Sequence, residues 1–151
     1  MDILGVIKRD HNEVKALFKE YESLGPNAKA SRAKLAKKIM EELVKHDEAE
    51  EQTLYALLKE RARGSEERIK ILEAFEEHTM ASELIAKLKK LETPDEEFMA
   101  KFQVLIESVQ HHIKDEEGNV HKIAREELDK DELNELAPKF EEAKKSVPVT
   151  R

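Results

Sequence analysis

Three observations predict an all-α fold, an up-down-up-down antiparallel four-helix bundle with a short C-terminal helical extension. The 151 residues are 40% charged and 5% aromatic, with four Gly, four Pro and no Trp, the profile of helices with a solvated outer surface. Apolar residues recur at three- and four-residue steps along four long stretches. Helix stop and start signals separate those stretches cleanly. The chain reads as one domain, residues 1–151, with the bundle at about 2–128 and the tail at about 131–146.

Helix 1 is predicted from about Asp2 to Leu24, ending at Gly25-Pro26, with Leu4, Ile7, Val14, Phe18 and Tyr21 on one stripe. Helix 2 runs from about Ser31 to Ala62, stops near Gly64, and carries Leu35, Ile39, Leu43, Leu54 and Leu57. Helix 3 starts after Ser65, where Glu66 and Glu67 suit the positive end of a helix, and reaches about Leu91 with Ile71, Phe75, Ser82 and Ile85 on its stripe. Thr93-Pro94-Asp95-Glu96 opens helix 4, with Thr as cap and Pro at the first position. That helix continues to about Leu128 with Phe98, Phe102, Leu105, Val109, Val120 and Ile123. Beyond it, Leu133, Leu136 and Phe140 have helical spacing, but Pro138 predicts short pieces, and Val147 to Arg151 are expected to fray.

Histidines fill the gaps in these stripes. His11 takes the missing step on helix 1, His46 and Glu50 on helix 2, His78 on helix 3, and His112 and Glu116 on helix 4. The pattern occurs twice: His11 lies 35 residues before His46, and His78 lies 34 before His112. Each copy ends in His-x-x-x-Glu, which puts both side chains on one helix face. His11 and His46 also sit at similar depths around the first turn, as do His78 and His112 around the second. His111 and His121 fall off the stripes and are expected at the surface or just behind the site.

A lone core histidine is usually structural, and one His-x-x-x-Glu on a charged helix means little. Two ionised glutamates in a helical core are costly without a cation, and no Lys or Arg shares their level on these stripes. Two bound metal ions would supply the charge. With no Cys, the ligands must be His nitrogens and carboxylate or phenol oxygens, which suit iron, manganese or zinc. The ferritin-like alternative requires Glu-x-x-His. The residues three before each histidine are Lys8, Leu43, Phe75, Ser108, Val109 and Gly118, so that arrangement is disfavoured.

A net charge of −7 argues against general nucleic-acid binding. No apolar run approaches the ~20 residues of a membrane span. The opening Met1-Asp-Ile-Leu-Gly lacks the features of a signal peptide, so a cytoplasmic location is expected.

From about Ile3 to Glu127 the chain resembles hemerythrin-like proteins of the HHE family. The residues that carry the resemblance are Asp10-His11, the run from His46 to Tyr55, Glu77-His78, and the run from His111 to Glu117. The resemblance implies a non-haem diiron centre held by His11, His46, Glu50, His78, His112 and Glu116. It further implies that Glu50 and Glu116 bridge both irons beside an oxo or hydroxo bridge. Oxygen-carrying hemerythrins have a fifth His one turn after the third-helix ligand, where this chain has Ser82. About two of the ~12 positions around an iron pair then stay unfilled. Tyr55, Asp47 and Glu83 are candidates to fill them, and Tyr55 has His121 as its counterpart in the second copy. Both lie nine residues past the copy's second His, about half a turn out of phase, so reaching the metal needs local distortion.

The function expected from this resemblance is binding of dioxygen, nitric oxide or peroxide at an open iron position, with redox, peroxide or nitric oxide reactivity favoured over oxygen storage. An electron donor, and a monomer or weak oligomer, go with it. The alternatives are an iron- or oxygen-sensing regulatory module and an iron storage or detoxification protein.

Overall fold

Helical capping and apolar stripes place the elements close to where the sequence puts them. The computed structural model describes residues 1–92 and 95–148. Helix α1 (Ile3–Ser23) starts where Asp2 Oδ1 accepts from the backbone N–H of Gly5 at 3.0 Å. Helix α2 (Lys29–Glu50) runs without a break into a π-helical segment (Glu51–Tyr55) and then α3 (Ala56–Arg61). Gly64 turns the chain with φ of 75°, in the left-handed region that glycine adopts freely. Helix α4 (Gly64–Leu88) follows, then α5 (Glu96–Asp115), a second π segment (Glu116–Val120), α6 (His121–Glu127) and α7 (Lys130–Ser146). The expected Thr93 cap and Pro94 lie outside the described residues, and Asp95 precedes the first turn of α5.

Among the described residues the chain is all-helical, and the four long helical runs form the predicted antiparallel bundle. Two apolar clusters divide its length. One joins Ile3 and Ile7 of α1 to Leu54, Leu58, Ile71, Val120 and Ile123. The other joins Phe18 of α1 to Ile39, Leu43, Ile85, Phe102, Leu105 and Val109. The polar residues predicted at core positions lie between these clusters. No helix among the described residues is long and apolar enough to cross a membrane.

The C-terminal tail departs from expectation. It is one 17-residue helix, α7, with Pro138 inside it. A capping box starts it: Asp129 Oδ1 accepts from Glu132 N–H at 2.8 Å, and Glu132 returns the bond to Asp129 N–H at 3.1 Å. An interior proline costs about 3 kcal/mol. Burying Leu133, Leu136 and Phe140 in the first cluster offsets this at roughly 1.5–3 kcal/mol each. Helix α7 packs on α1, α2 and the first π segment. Val147, expected to fray, is buried, while residues 149–151 lie outside the described residues.

The α4 stripe also shifts by one position. Ala74 and Ala81 join Ile71, His78 and Ile85 as buried residues, Phe75 packs against the first cluster from its edge, and Ser82 does not face the core. Phe75 is half-buried and Ser82 exposed.

Candidate metal centre

The His-x-x-x-Glu spacing brings six buried side chains together in the layer between the apolar clusters. His11, His46, Glu50, His78, His112 and Glu116 are all buried, with Glu50 at 0% exposure and Glu116 at 1%. Glu50 Oε1 lies 3.6 Å from Nε2 of His46 on its own helix and 3.2 Å from Nε2 of His78 in the other copy. Glu116 Oε1 lies 3.5 Å from His112 Nε2 and 3.2 Å from His11 Nε2. Each carboxylate therefore spans the two copies, the placement a bridging ligand needs. The buried potential ligand atoms fall into two overlapping groups, His11, His46, Glu50 and Glu116, and Glu50, His78 and His112, while a third group, Glu77, His111 and Asp115, lies toward the surface. None of the four oxygens of Glu50 and Glu116 has a hydrogen-bond partner of proper geometry, nor does His46 Nε2. Such buried polar atoms are costly unless a cation satisfies them.

A carboxylate holds the far side of every one of these rings. His46 Nδ1–H donates to Asp10 at 2.9 Å, and His112 Nδ1–H to Glu77 at 2.5 Å. His11 donates to Glu117 at 2.6 Å and His78 to Glu51 at 2.8 Å. These bonds set the tautomer that turns each Nε2 lone pair inward, as metal-binding histidines require. Sequence reasoning missed this role. Its signal was present: an acidic residue directly precedes His11 and His78, and another directly follows Glu50 and Glu116. Asp10 is itself buried and accepts from Lys144 Nζ of α7 at 2.8 Å.

Burial works against a charged imidazolium, but Glu50 and Asp10 push His46 up to about 10. Glu116 and Glu77 push His112 up to about 10 against the same burial penalty. Burial also opposes ionised Asp10, yet His46 and Lys144 hold it well below the usual carboxylate range.

The two π segments supply the distortion that Tyr55 and His121 need. Each π turn takes an extra residue and rotates the later part of the helix by roughly 100°. In the first, Thr53 Oγ1 donates to the Ala49 carbonyl at 2.6 Å and competes for the helical acceptor. Gly118 and Asn119, both weak helix formers, lie in the second. Tyr55 is fully buried, its ring stacked on His78 (centroids 5.0 Å) and its hydroxyl 3.5 Å from His112 Nε2. His121, expected off the core, is instead fully buried. Its Nε2 lies 4.0 Å from Glu116 Oε2, and neither ring nitrogen has a hydrogen-bond partner. Burial drives the His121 pKa down, leaving a neutral imidazole with a free lone pair. Burial, then the Glu116 and Glu50 charges, drives Tyr55 well above its usual 10, so it is a phenol without a cation beside it.

The family model for the hemerythrin HHE cation binding domain matches residues 2–124. The chain belongs to this family. The resemblance seen in the sequence is borne out. A solved hemerythrin HHE cation binding domain-containing protein from Mycobacterium kansasii shares the fold, with a TM-score of 0.79 at 20% identity over 97% of this chain and 89% of that one. Over 147 residues, 97% of this chain, it is 27% identical to a DNA nickase of Nostoc sp. and 26% identical to an uncharacterized hemerythrin-like protein of Schizosaccharomyces pombe. It spans 40% of the length of the first and 71% of the second.

In this HHE domain the other predicted residues separate by position. Asp47 Oδ1 is 3.4 Å from His78 Nε2 and stands at the edge of the centre. Ser82 and Glu83 are exposed and line a small opening of about 210 Å³ between α2 and α4 that reaches His78. His111 is 70% exposed and pairs with Asp115 at 3.1 Å, away from the buried six.

Proposed function

We propose that this HHE domain is a non-haem diiron protein that binds a small oxidant, namely dioxygen, nitric oxide or peroxide. The observation that carries the reading is the pair of unpartnered buried carboxylates, Glu50 and Glu116, ringed by four inward Nε2 atoms. His11, His46 and His121 would serve one iron, and His78, His112 and Tyr55 the other, with both glutamates shared. The protein then fills about ten of the ~12 positions around two irons, and an oxo or hydroxo bridge would take the other two, so an exogenous ligand would displace that bridge or one of the protein's own ligands.

Two irons there would supply electrons to a bound oxidant. The protein's own residues do the rest. Asp10, Glu51, Glu77 and Glu117 fix the imidazoles. Leu43, Leu105 and Val109 keep the surroundings apolar. Burial and the Glu116 and Glu50 charges keep Tyr55 a phenol; a ferric ion held beside it would favour the phenolate, and the phenolate would favour the ferric state. Ser82 in place of a fifth histidine, with Tyr55 stacked on His78, supports redox, peroxide or nitric oxide reactivity over reversible oxygen storage.

Metal analysis with absorption spectra before reduction, after it and after return to air tests the reading. About two irons per chain and an oxo-bridged ferric spectrum are expected. No iron after iron-supplemented expression overturns it, and a stable oxy form that clears and returns over many deoxygenation cycles overturns the reactivity part. The longer Nostoc relative favours a second reading, an iron- or oxygen-sensing module within a larger assembly. Oxygen-dependent protease sensitivity would separate the two.

A further inference from the structure

Among the described residues, two of the openings that reach the centre differ in character. The one beside Ser82 is small and polar, lined by Asp47, Glu48, Glu51 and Glu83. The other, between α1, α2 and α5, is a cavity of about 480 Å³ that ends on His11, His46 and His112. Buried Val14, Leu43, Val109 and Ile113 and half-buried Leu17 supply most of its apolar wall, and Asp10, Asp47, Glu13, Lys38 and Glu42 are the charged residues of its lining.

A diatomic ligand does not need this space. A water molecule's share of liquid volume is about 30 Å³, whereas pockets for organic ligands run from roughly 300 to 1,000 Å³. The walls accept an apolar body and penalise a polar one, whose hydrogen bonds Val14, Leu43, Val109 and Ile113 cannot replace. At the inner end lie His11, His46 and His112 with Asp10 and Asp47 beside them, whose carboxylates disfavour an anionic head. A neutral, oxygen-bearing head on an apolar body fits both ends.

We infer that the ligands of this centre include organic hydroperoxides, R–O–O–H, with the apolar R group lying in the cavity between α1, α2 and α5 and the hydroperoxide end at His11, His46 and His112. The inference rests on the diiron reading above and names the substrate class of that site.

Cumene hydroperoxide is a suitable member of the class, and its alcohol, 2-phenyl-2-propanol, is an unreactive probe for equilibrium work. Metal content is measured on every sample first. Calorimetric titration of the metal-loaded protein with 2-phenyl-2-propanol is expected to give one saturable site per chain. Leu17→Trp, which fills part of the cavity, is expected to weaken binding at least tenfold while both metals and the unfolding midpoint stay in place. Leu43→Phe narrows the cavity and is expected to give a similar loss, so the test does not depend on one variant folding. Two metals per chain without saturable alcohol binding, or equal affinity in wild type and both variants, overturns this inference and leaves the diiron reading standing. Absence of metal overturns the diiron reading, and this inference with it.

Discussion

The first half of the bundle, α1 to α3, and the second, α4 to α6, place the same parts around one centre and surround them differently. Asp10, His11, His46, Glu50, Glu51 and Tyr55 correspond to Glu77, His78, His112, Glu116, Glu117 and His121. Asp10 is buried under Lys144, whereas Glu77 is partly exposed. Helix α7 packs on α1 and α2, while Ile69, Leu72 and Met80 of α4 stay exposed. The large apolar cavity reaches both histidines of the first half, His11 and His46, but only His112 of the second, while the smaller opening reaches His78. Matching ligand spacing therefore does not give two equivalent candidate metal positions. One position faces a neutral imidazole, His121, and the other a phenol, Tyr55, and the packing around each half widens that difference.

The harshest way to break the pairing is to remove a shared group. Glu50→Ala or Glu116→Ala is expected to lose both irons, not one, with loss of the oxo-bridged ferric absorption, read by metal analysis and spectroscopy. Retention of one full iron in either variant would show that the glutamates serve the halves separately.

Next in size is the support that only the first half has. Phe140→Ala empties the contact between α7 and His46, whose rings lie 5.4 Å apart in an edge-on packing. A cost of about 3–5 kcal/mol in urea unfolding is expected for a fully buried Phe. A value under 1 kcal/mol would mean that α7 is dispensable to the bundle.

The metal-free protein offers a pH test. His46 and His112 are raised from 6.5 to about 10 in the folded chain, so between those values the folded state holds more protons than the unfolded one. The stability that these two histidines contribute to the metal-free chain is fully present below about pH 6.5 and is expected to be lost as pH rises toward 10. Iron binding displaces those protons, so affinity is expected to rise over the same window. Thermal melts of metal-free and loaded protein from pH 6 to 10 give both trends, and a metal-free melting point that climbs with pH contradicts the electrostatics.

Smaller still is the asymmetry between Tyr55 and His121. Tyr55→Phe is expected to keep the protein folded and remove a phenolate-to-iron absorption band. His121→Phe is expected to leave that band and weaken iron binding at the other position. Identical spectra for wild type and Tyr55→Phe would assign Tyr55 to packing alone. Least of all, His111→Ala should leave metal content unchanged and stability within about 0.5 kcal/mol, because its ion pair with Asp115 is exposed.

Local pattern alone determined the all-α class, the four long helices and the six-residue set around Glu50 and Glu116. Period-3.6 stripes and helix-ending signals are local in sequence, and a polar residue in an apolar stripe is visible without coordinates. Three matters were decided only by tertiary packing. Pro138 stays within a helix because the surface buried by α7 outweighs the lost hydrogen bond and ring clash. Ser82 turns outward because the face of α4 that the bundle buries carries Ala74, His78, Ala81 and Ile85. His121 enters the core because a π segment changes the phase of everything after Glu116, and no stripe read at constant period could register that. The carboxylates behind the histidines belong to the same class: each pair joins different helices, so adjacency in the chain hinted at them but only the packed bundle showed which ring each one holds.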